Sequence, residues 1–307
     1  MALNKKTKKW LARNCPRSFE GKTVLITGAN SGIGLKSAEI AVYLKAKLIM
    51  ACRNADKAST ARISLLKEYP NADIDIISLD ISDFSSIDSF VNEIRSNGIN
   101  IDVFLNNAGV FHKPGEKTAN GFELVLGTNY FGVYYLTEKL LPYLESLPHP
   151  VTYINTVSII YKTASIDYGD FFCTGKYNNF TVYGRSKLCL AKYSYSKAKQ
   201  YEKSNVKILM NHPGISITPL GINAFGSTVG RLAKIFSRVF NSPEKSALSL
   251  PFIMANDLPA GSLAGPSRFF GGWGYPENCK LQKRAMAGAE ELIKFTENMI
   301  EQRKTIG

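Results

Sequence analysis

The stretch that decides the fold is residues 23–34, Thr-Val-Leu-Ile-Thr-Gly-Ala-Asn-Ser-Gly-Ile-Gly. Its first four residues are β-branched or apolar, which is typical of a buried strand, and the run stops at Thr27-Gly28. Small and apolar residues then recur every three or four positions from Ile33 to Leu44, which predicts a helix. The glycines of the turn and the free N–H groups at the start of that helix indicate a phosphate-binding site.

The composition restricts the class of protein. At 307 residues the chain is long enough to form one large α/β domain. No apolar run approaches the roughly 18 residues of a membrane-spanning helix, and the first residues lack the apolar core of a secretion signal, so a cytoplasmic protein is expected. The five cysteines and three histidines are scattered, and neither a disulfide framework nor a metal site is expected.

The net charge of +13 is partly concentrated in a basic N-terminal extension, residues 1–20, around Trp10 and Leu11. A solvated tail is the expected structure of this extension, and a weak contact with a membrane surface or a partner is the alternative. No helix-turn-helix, zinc-finger or aromatic RNA-binding signature accompanies the charge. A nucleic-acid partner is therefore not expected.

The end of the second predicted strand bears on the choice of cofactor. Residues 47–51 form the strand, and Cys52-Arg53-Asn54 follows it. In dinucleotide folds an acidic residue about 20 positions after the glycines binds the ribose 2′-hydroxyl, whereas an arginine accommodates a 2′-phosphate. No carboxylate is present here, so Arg53 favours NADP(H). The alternative is an arginine that only faces solvent.

Further polar residues follow the later predicted strands. Asp80 comes after residues 74–79, and Asn106-Asn-Ala-Gly109 ends the fourth strand. Residues 151–157 form the fifth strand and deliver Ser158 at its carboxyl end. Ligands of open parallel sheets bind at those ends, so these residues are candidates for one site.

Tyr-x-x-x-Lys occurs five times in the chain, and the pattern alone says little. The copy Tyr183/Lys187 is distinguished by its position, because it opens a helix directly after the strand and loop that carry Ser158. A spacing of four places both side chains on one helix face. Hydride transfer at a carbinol carbon needs a proton-exchanging group beside the oxygen, and a phenol near an ammonium suits that role.

The order of these motifs resembles the short-chain dehydrogenase/reductase family over about residues 20–275. The sequences Ala51-Cys-Arg-Asn54 and His212-Pro-Gly214 further resemble its retinol-dehydrogenase-like branch. We therefore expect a single doubly wound α/β Rossmann domain, residues 21–307, with a parallel, seven-stranded sheet whose last strand lies at residues 267–270. The resemblance also implies a helical substrate lid at about residues 216–241 and a homo-oligomer, either dimer or tetramer.

The resemblance implies roles for individual residues. Tyr183 exchanges the proton and Ser158 binds the substrate oxygen. Lys187 lowers the pKa of the phenol and holds the nicotinamide ribose, while Asn129 kinks its helix and holds a water of the proton relay. The residues expected to bind NADP are Gly28, Asn30, Ser31, Gly32, Ile33, Gly34, Arg53, Asn54, Asp80, Ile81, Asn107, Ala108, Gly109, Tyr183, Lys187, Pro213, Gly214, Ile215 and Thr218.

The predicted function is an NADP(H)-dependent oxidoreductase that interconverts an alcohol and a carbonyl on a bulky apolar substrate, such as a steroid, a retinoid or another lipid. The alternatives are an NAD-dependent dehydrogenase of the same fold and a dinucleotide-binding sensor or scaffold without turnover. His212 is expected to be structural. The candidate walls of the substrate pocket are Ile159, Ile160, Tyr161, Tyr177, Phe180 and Phe225.

Overall fold

The computed structural model describes residues 2–112, 115–175, 177–216 and 241–304. Over these residues, eight strands form one sheet in the order β3-β2-β1-β4-β5-β6-β7-β8. The strands are β1 Thr23–Thr27, β2 Lys47–Cys52, β3 Ile74–Ser78, β4 Val103–Asn106, β5 Val151–Thr156, β6 Val206–Asn211, β7 Leu263–Gly265 and β8 Glu277–Cys279. The first seven pair in parallel, and β8 pairs antiparallel to β7. The predicted doubly wound parallel sheet is confirmed, and β8 is an additional edge strand.

Helices cover both faces of this sheet. The longer helices are α1 Lys5–Asn14, α2 Gly32–Tyr43, α3 Ala55–Glu68, α4 Phe84–Ser96, α5 Val133–Ser146, α6 Asn179–Gln200, α7 Ser249–Ala255 and α8 Ala289–Lys304. Alternate residues of β1 enter different hydrophobic layers, because Leu25 packs into one cluster and Val24 and Ile26 into the other. A sheet buried on both faces requires strands that are apolar throughout, which is the pattern that residues 23–26 carry.

The basic N-terminal extension is not a solvated tail. Residues 5–14 form α1, whose first turn is capped by the Asn4 side chain as it accepts a hydrogen bond from the Thr7 N–H at 2.9 Å. Leu3, Thr7 and Leu11 are buried, and they recur every four residues along one face. That face packs on the same hydrophobic cluster as α2.

The seventh strand lies at Leu263–Gly265 and not at residues 267–270. The observed strand is three residues long and lacks β-branched residues, so its sequence gives little strand signal. Residues Phe269–Gly271 form a turn of 3₁₀ helix at the surface instead. Between the described end at residue 241 and β7, Pro243–Ser246 forms a single helical turn that precedes α7.

The substrate lid expected at about residues 216–241 falls outside the described residues except for its two ends. At those ends, the Asn241 N–H donates a hydrogen bond to the Ile215 carbonyl at 2.9 Å. Within the part of the chain that the structure describes, no helix has the length and apolar content needed to cross a bilayer.

Candidate active site

A cleft of about 720 Å³ lies at the carboxyl ends of β1, β2, β4 and β5. Its size is that of typical small-ligand pockets. Every residue predicted to bind the cofactor lines this cleft except Gly214, Ile215 and Thr218. Gly214 and Ile215 follow Pro213, which does line it, and Thr218 lies outside the described residues.

The glycine-rich turn after β1 forms one wall of the cleft. Gly28 has φ +66°, a left-handed conformation that favours glycine. A Cβ on Gly34 would overlap the carbonyl oxygen of Gly28, so α2 approaches the turn as closely as the backbone allows. The Ser31 side chain makes no capping hydrogen bond, which leaves the first N–H groups of α2 available. These features fit the phosphates of a dinucleotide.

Thr27 joins the turn to the next strand of the site. Its buried hydroxyl accepts hydrogen bonds from the N–H groups of Asn107 and Ala108, at 3.0 and 2.9 Å, and donates one to Asn106 Oδ1 at 3.2 Å. The carboxyl ends of β1 and β4 are thereby locked together. Sequence reasoning missed this role, although a hydroxyl residue between a buried strand and a glycine turn was the available signal.

Asn129 is fully buried in a turn of π helix, Gly127–Gly132, that precedes α5. Its Oδ1 accepts a hydrogen bond from the Val110 N–H and its Nδ2 donates to the Val110 carbonyl, both at 2.8 Å. Nδ2 also lies 3.3 Å from Ser186 Oγ on α6. The amide is therefore committed to fixing the loop after β4 against α6. Its predicted part in holding a water stays a prediction.

Tyr183 and Lys187 share one face of α6. The helix is capped by Asn178, whose side chain accepts a hydrogen bond from the Thr181 N–H at 2.9 Å. Lys187 is buried, and its Nζ lies 5.8 Å from the centre of the Tyr183 ring. The same Nζ donates a hydrogen bond to the Thr156 carbonyl at the end of β5, at 2.9 Å. This bond fixes the lysine between α6 and the sheet.

Ser158 completes the group of side chains around the phenol. It follows β5 directly, and its Oγ accepts a hydrogen bond of 3.5 Å from the Ile160 N–H at the start of the 3₁₀ turn Ile159–Lys162. The Ser158 hydroxyl also interacts with the Tyr183 phenol. Asn129, Ser158, Tyr183 and Lys187, which are distant in sequence, thus meet at the same end of the sheet.

Burial shifts the ionisation of both groups on α6. It raises the pKa of Tyr183 to about 12, and the hydrogen bond with Ser158 offsets only part of this rise. Burial lowers the pKa of Lys187 to about 8. The expectation that Lys187, together with the oxidised nicotinamide, lowers the pKa of the phenol stays a prediction. The ammonium is directed at the Thr156 carbonyl, and desolvation dominates the pKa of the phenol.

The far end of the cleft carries positive charge. The Arg53 guanidinium is exposed, with Nη1 3.5 Å from Asp80 Oδ2. Asp80 Oδ1 accepts hydrogen bonds from the N–H and the hydroxyl of Ser82. Lys57, one turn into α3, also lines the cleft. Sequence reasoning missed Lys57, although a basic residue four positions after Arg53 was visible.

The expected substrate-pocket walls are distributed differently. Tyr161 is fully buried, and its hydroxyl accepts a hydrogen bond from the Gln282 N–H at 3.3 Å, so it packs in the core. Phe180 remains at the mouth, with its ring centre 5.2 Å from that of Phe111, and Phe111 lies 5.1 Å from Tyr183. Phe225 lies outside the described residues. Phe111 is a cleft residue that the sequence did not indicate.

His212 is enclosed by the fold beside β7. It is fully buried, and neither ring nitrogen has a hydrogen-bond partner among the described residues. A Cβ on Gly265 would come within 2.5 Å of the ring. Burial, with a smaller contribution from Lys162, lowers its pKa to about 3, so the imidazole is neutral. A packing role agrees with this environment.

The sequence is similar to a known family and to several of its members. A family model described as short chain dehydrogenase matches residues 22–226. Mouse (Mus musculus) retinol dehydrogenase 14 is 37% identical over 216 residues, which are 67% of this chain and 64% of that protein. Human (Homo sapiens) retinol dehydrogenase 13 is 33% identical over 240 residues, 76% of this chain and 72% of that protein. The match to retinol dehydrogenase 14 therefore spans less than two thirds of that relative.

Solved structures share the fold. A protein from Mycobacterium paratuberculosis superposes with a TM-score of 0.73 at 27% identity, over 93% of this chain and 95% of that one. L-sorbose reductase from Gluconobacter frateurii, complexed with NADPH and L-sorbose, gives a TM-score of 0.63 at 22% identity, over 80% of this chain and 95% of that one. At this identity, the similarity to the reductase shows the fold alone.

Proposed function

The chain belongs to the short chain dehydrogenase family, and from that premise we propose that it is an NADP(H)-dependent oxidoreductase that interconverts an alcohol and a carbonyl on a bulky apolar substrate. One observation carries the proposal. Tyr183 and Lys187 line a cleft whose other wall is the glycine-rich turn, and the Ser158 hydroxyl interacts with the Tyr183 phenol. Proton exchange and hydride transfer need that proximity, because both occur at one carbinol group.

Each side chain has a chemical task in this proposal. The Tyr183 phenol, protonated at neutral pH, donates its proton to the carbonyl oxygen of the substrate during reduction. Ser158 binds the same oxygen, and Lys187, fixed by Thr156, supplies positive charge below the phenol ring. When bound, the nicotinamide supplies or accepts the hydride and, in its oxidised form, adds a positive charge.

The reverse direction places a demand on Tyr183. Alcohol oxidation requires the phenolate, and each pKa unit by which the phenol must fall costs about 1.4 kcal/mol. The pKa of about 12 in the protein alone is several units too high for neutral pH. Alcohol oxidation at neutral pH therefore depends on the positive charges near the phenol, those of Lys187 and of the oxidised nicotinamide.

The choice of NADP(H) rests on charge at the far end of the cleft. Arg53 and Lys57 both line it, and the residues that end β2 include no carboxylate. A guanidinium pairs well with a phosphate, whereas a ribose 2′-hydroxyl gains little from it. Asp80 accepts hydrogen bonds from Ser82 and is only 3.5 Å from Arg53, so its charge is partly compensated.

An apolar substrate agrees with the rings at the mouth. Phe111 lies next to Tyr183 and Phe180 packs on Phe111, so a substrate whose oxygen reaches the phenol would place its carbon skeleton against these rings. The names of the relatives, retinol dehydrogenases 13 and 14, support a retinoid or a comparable lipid as the first class to test.

The test is nucleotide reduction and oxidation over a panel of hydroxysteroids, retinoids and long-chain alcohols and carbonyls, with NADP(H) and NAD(H), for the wild type and Arg53→Ala. We expect turnover that prefers NADP(H), and a loss of NADPH affinity of about tenfold or more in the variant with NADH affinity unchanged. Arg62→Ala, an exposed arginine on α3 outside the cleft, is the matched control. Equal use of both cofactors by wild type and variant would favour the NAD-dependent alternative, and tight binding without any turnover would favour the sensor.

A further inference from the structure

Two adjacent aromatic side chains are exposed on the turn between β7 and β8. Phe269 is 68% exposed and Phe270 is 94% exposed, although large apolar side chains are usually covered. Both have left-handed backbone conformations, with φ of 50° and 58°, which bulky residues rarely adopt. Strain of this kind persists only where the surrounding structure enforces it.

The surrounding backbone does enforce the turn. The N–H groups of Gly271 and Trp273 both donate hydrogen bonds of 3.1 Å to the Arg268 carbonyl. The Ile215 N–H donates to the Gly272 carbonyl at 2.9 Å, and Asn241 Nδ2 donates to the Gly274 carbonyl at 3.2 Å. The fold therefore holds Phe269 and Phe270 outward at a conformational cost, in place of burying them.

Other aromatic rings continue this surface toward α1. The ring centres of Phe269 and Trp273 are 6.1 Å apart. Lys245 Nζ lies 4.0 Å from the centre of the Trp273 ring and 4.6 Å from that of Tyr275, and Tyr275 stacks on Trp10 at 5.9 Å. We name this set the aromatic edge: Trp10, Phe269, Phe270, Trp273 and Tyr275.

Exposed basic side chains accompany the aromatic edge. Arg268 precedes Phe269, and the α1 helix that carries Trp10 also carries exposed basic residues. Those residues are Lys5, Lys6, Lys9 and Arg13. The neighbouring carboxylates have polar partners, because Glu244 accepts two hydrogen bonds from Asn4 and Glu277 accepts one from the Ser267 hydroxyl.

We propose that the aromatic edge docks on the surface of a bilayer that contains anionic lipids. Tryptophan and tyrosine favour the boundary between headgroups and acyl chains, phenylalanine can enter the acyl region, and lysine and arginine attract anionic headgroups. A ring that is 94% exposed protrudes from the surface. A fluid lipid layer surrounds such a ring without a preformed complementary cavity, which a protein partner would have to supply.

The aromatic edge adjoins the candidate active site. Gly272, whose carbonyl binds the Ile215 N–H, connects the turn to the segment after β6 that begins at Pro213 in the cleft. A Cβ on Gly271 would lie 2.6 Å from Ile159, the residue that follows Ser158. Docking through this edge would bring the site close to a reservoir of apolar molecules. The membrane contact itself does not depend on the proposed reaction.

The experiment measures co-sedimentation of the full chain with vesicles of phosphatidylcholine alone or mixed with phosphatidylserine, at low and high salt. The test variant is Phe269→Asn/Phe270→Asn, because asparagine tolerates positive φ and should preserve or raise stability. Ile63→Gln is the matched control, since Ile63 on α3 is also 68% exposed but lies away from the edge. Trp10 and Trp273 are the two tryptophans of the chain, so brominated lipid quenching reports contact at the edge directly.

We expect the wild type to bind the phosphatidylserine vesicles, with binding reduced by salt and tryptophan fluorescence quenched. The double asparagine variant should bind at least tenfold more weakly, and Ile63→Gln as the wild type does. Absence of wild-type binding, or equal binding by the folded double variant, would overturn the proposal. A dimer that the double variant abolishes, without vesicle binding by the wild type, would identify a second copy as the occupant and would also overturn it.

Discussion

At the scale of single residues, burial controls the chemistry of the α6 pair. Burial raises the pKa of Tyr183 to about 12 and lowers the pKa of Lys187 to about 8, so it favours the uncharged form of each side chain. Lys187 retains its position through the Thr156 carbonyl. A buried cation of this kind costs folding free energy, so the fold maintains it at the expense of stability.

That cost should be visible in the pH dependence of stability. Below pH 8 the folded chain keeps a protonated Lys187, and between about pH 8 and the usual pKa of 10.5 it releases a proton that the unfolded chain still binds. Stability due to this group therefore rises with pH across that interval. Relative to Lys187→Met, the wild type should gain about 2 kcal/mol in the free energy of unfolding between pH 7 and pH 10.

Urea unfolding of both chains over this pH range measures the difference, and groups common to both cancel. Lys199→Met, on the exposed side of the same helix, is the control substitution. A difference between wild type and Lys187→Met that stays constant with pH would show that the buried ammonium carries no such cost.

At the scale of elements, the glycine turn and α2 pack so closely that Gly34 has no room for a side chain. Gly34→Ala would drive a methyl group into the Gly28 carbonyl and the Asn107 side chain. We expect a loss of about 1–3 kcal/mol in stability. We also expect NADPH affinity to fall at least tenfold, because the N-terminus of α2 must move away from the phosphates.

Fluorescence titration with NADPH and urea unfolding would measure both effects. Gly175→Ala is a suitable control, because a Cβ there meets its neighbours at 3.5 Å or more. Wild-type affinity in Gly34→Ala would mean that the turn does not approach the cofactor.

The α1 helix provides a second test at this scale. Leu11 is buried between α1 and the hydrophobic layer that contains α2. Leu11→Ala should lower the free energy of unfolding by about 2–4 kcal/mol. Lys9→Ala on the exposed face should change it by no more than about 0.5 kcal/mol. If Leu11→Ala were as stable as the wild type in urea unfolding, residues 5–14 would not be part of the cooperative fold.

At the scale of the whole molecule, the sequence predicted the parallel sheet and its order of motifs because buried strands and glycine turns leave strong local signals. Residues 23–27 and 151–156 needed no tertiary information to be recognised. Leu263–Gly265 carries no β-branched residue and becomes a strand through pairing with β6 and β8. The α1 helix likewise depends on packing, which a charge-rich decapeptide does not reveal.

The candidate site was predictable to a similar degree. Motif spacing identified residues such as Tyr183 and Gly28, which line the cleft as expected. It could not reveal that both amide atoms of Asn129 form hydrogen bonds with the Val110 backbone, or that Lys187 donates a hydrogen bond to the Thr156 carbonyl. Hydrogen-bond partners and desolvation depend on residues that are distant in sequence and meet only in the folded chain. They cannot be predicted from the spacing of motifs in one sequence.

The most direct test of the proposed function is the single-turnover rate of hydride transfer from NADPH in Tyr183→Phe, with the carbonyl substrate that the wild type reduces fastest. Removal of the phenolic hydroxyl should lower this rate by about 10²-fold or more. NADPH affinity, measured in parallel by fluorescence, should change by less than about twofold because the ring is retained. A rate within a few-fold of the wild type, with NADPH bound, would contradict the assignment of Tyr183 as the proton donor.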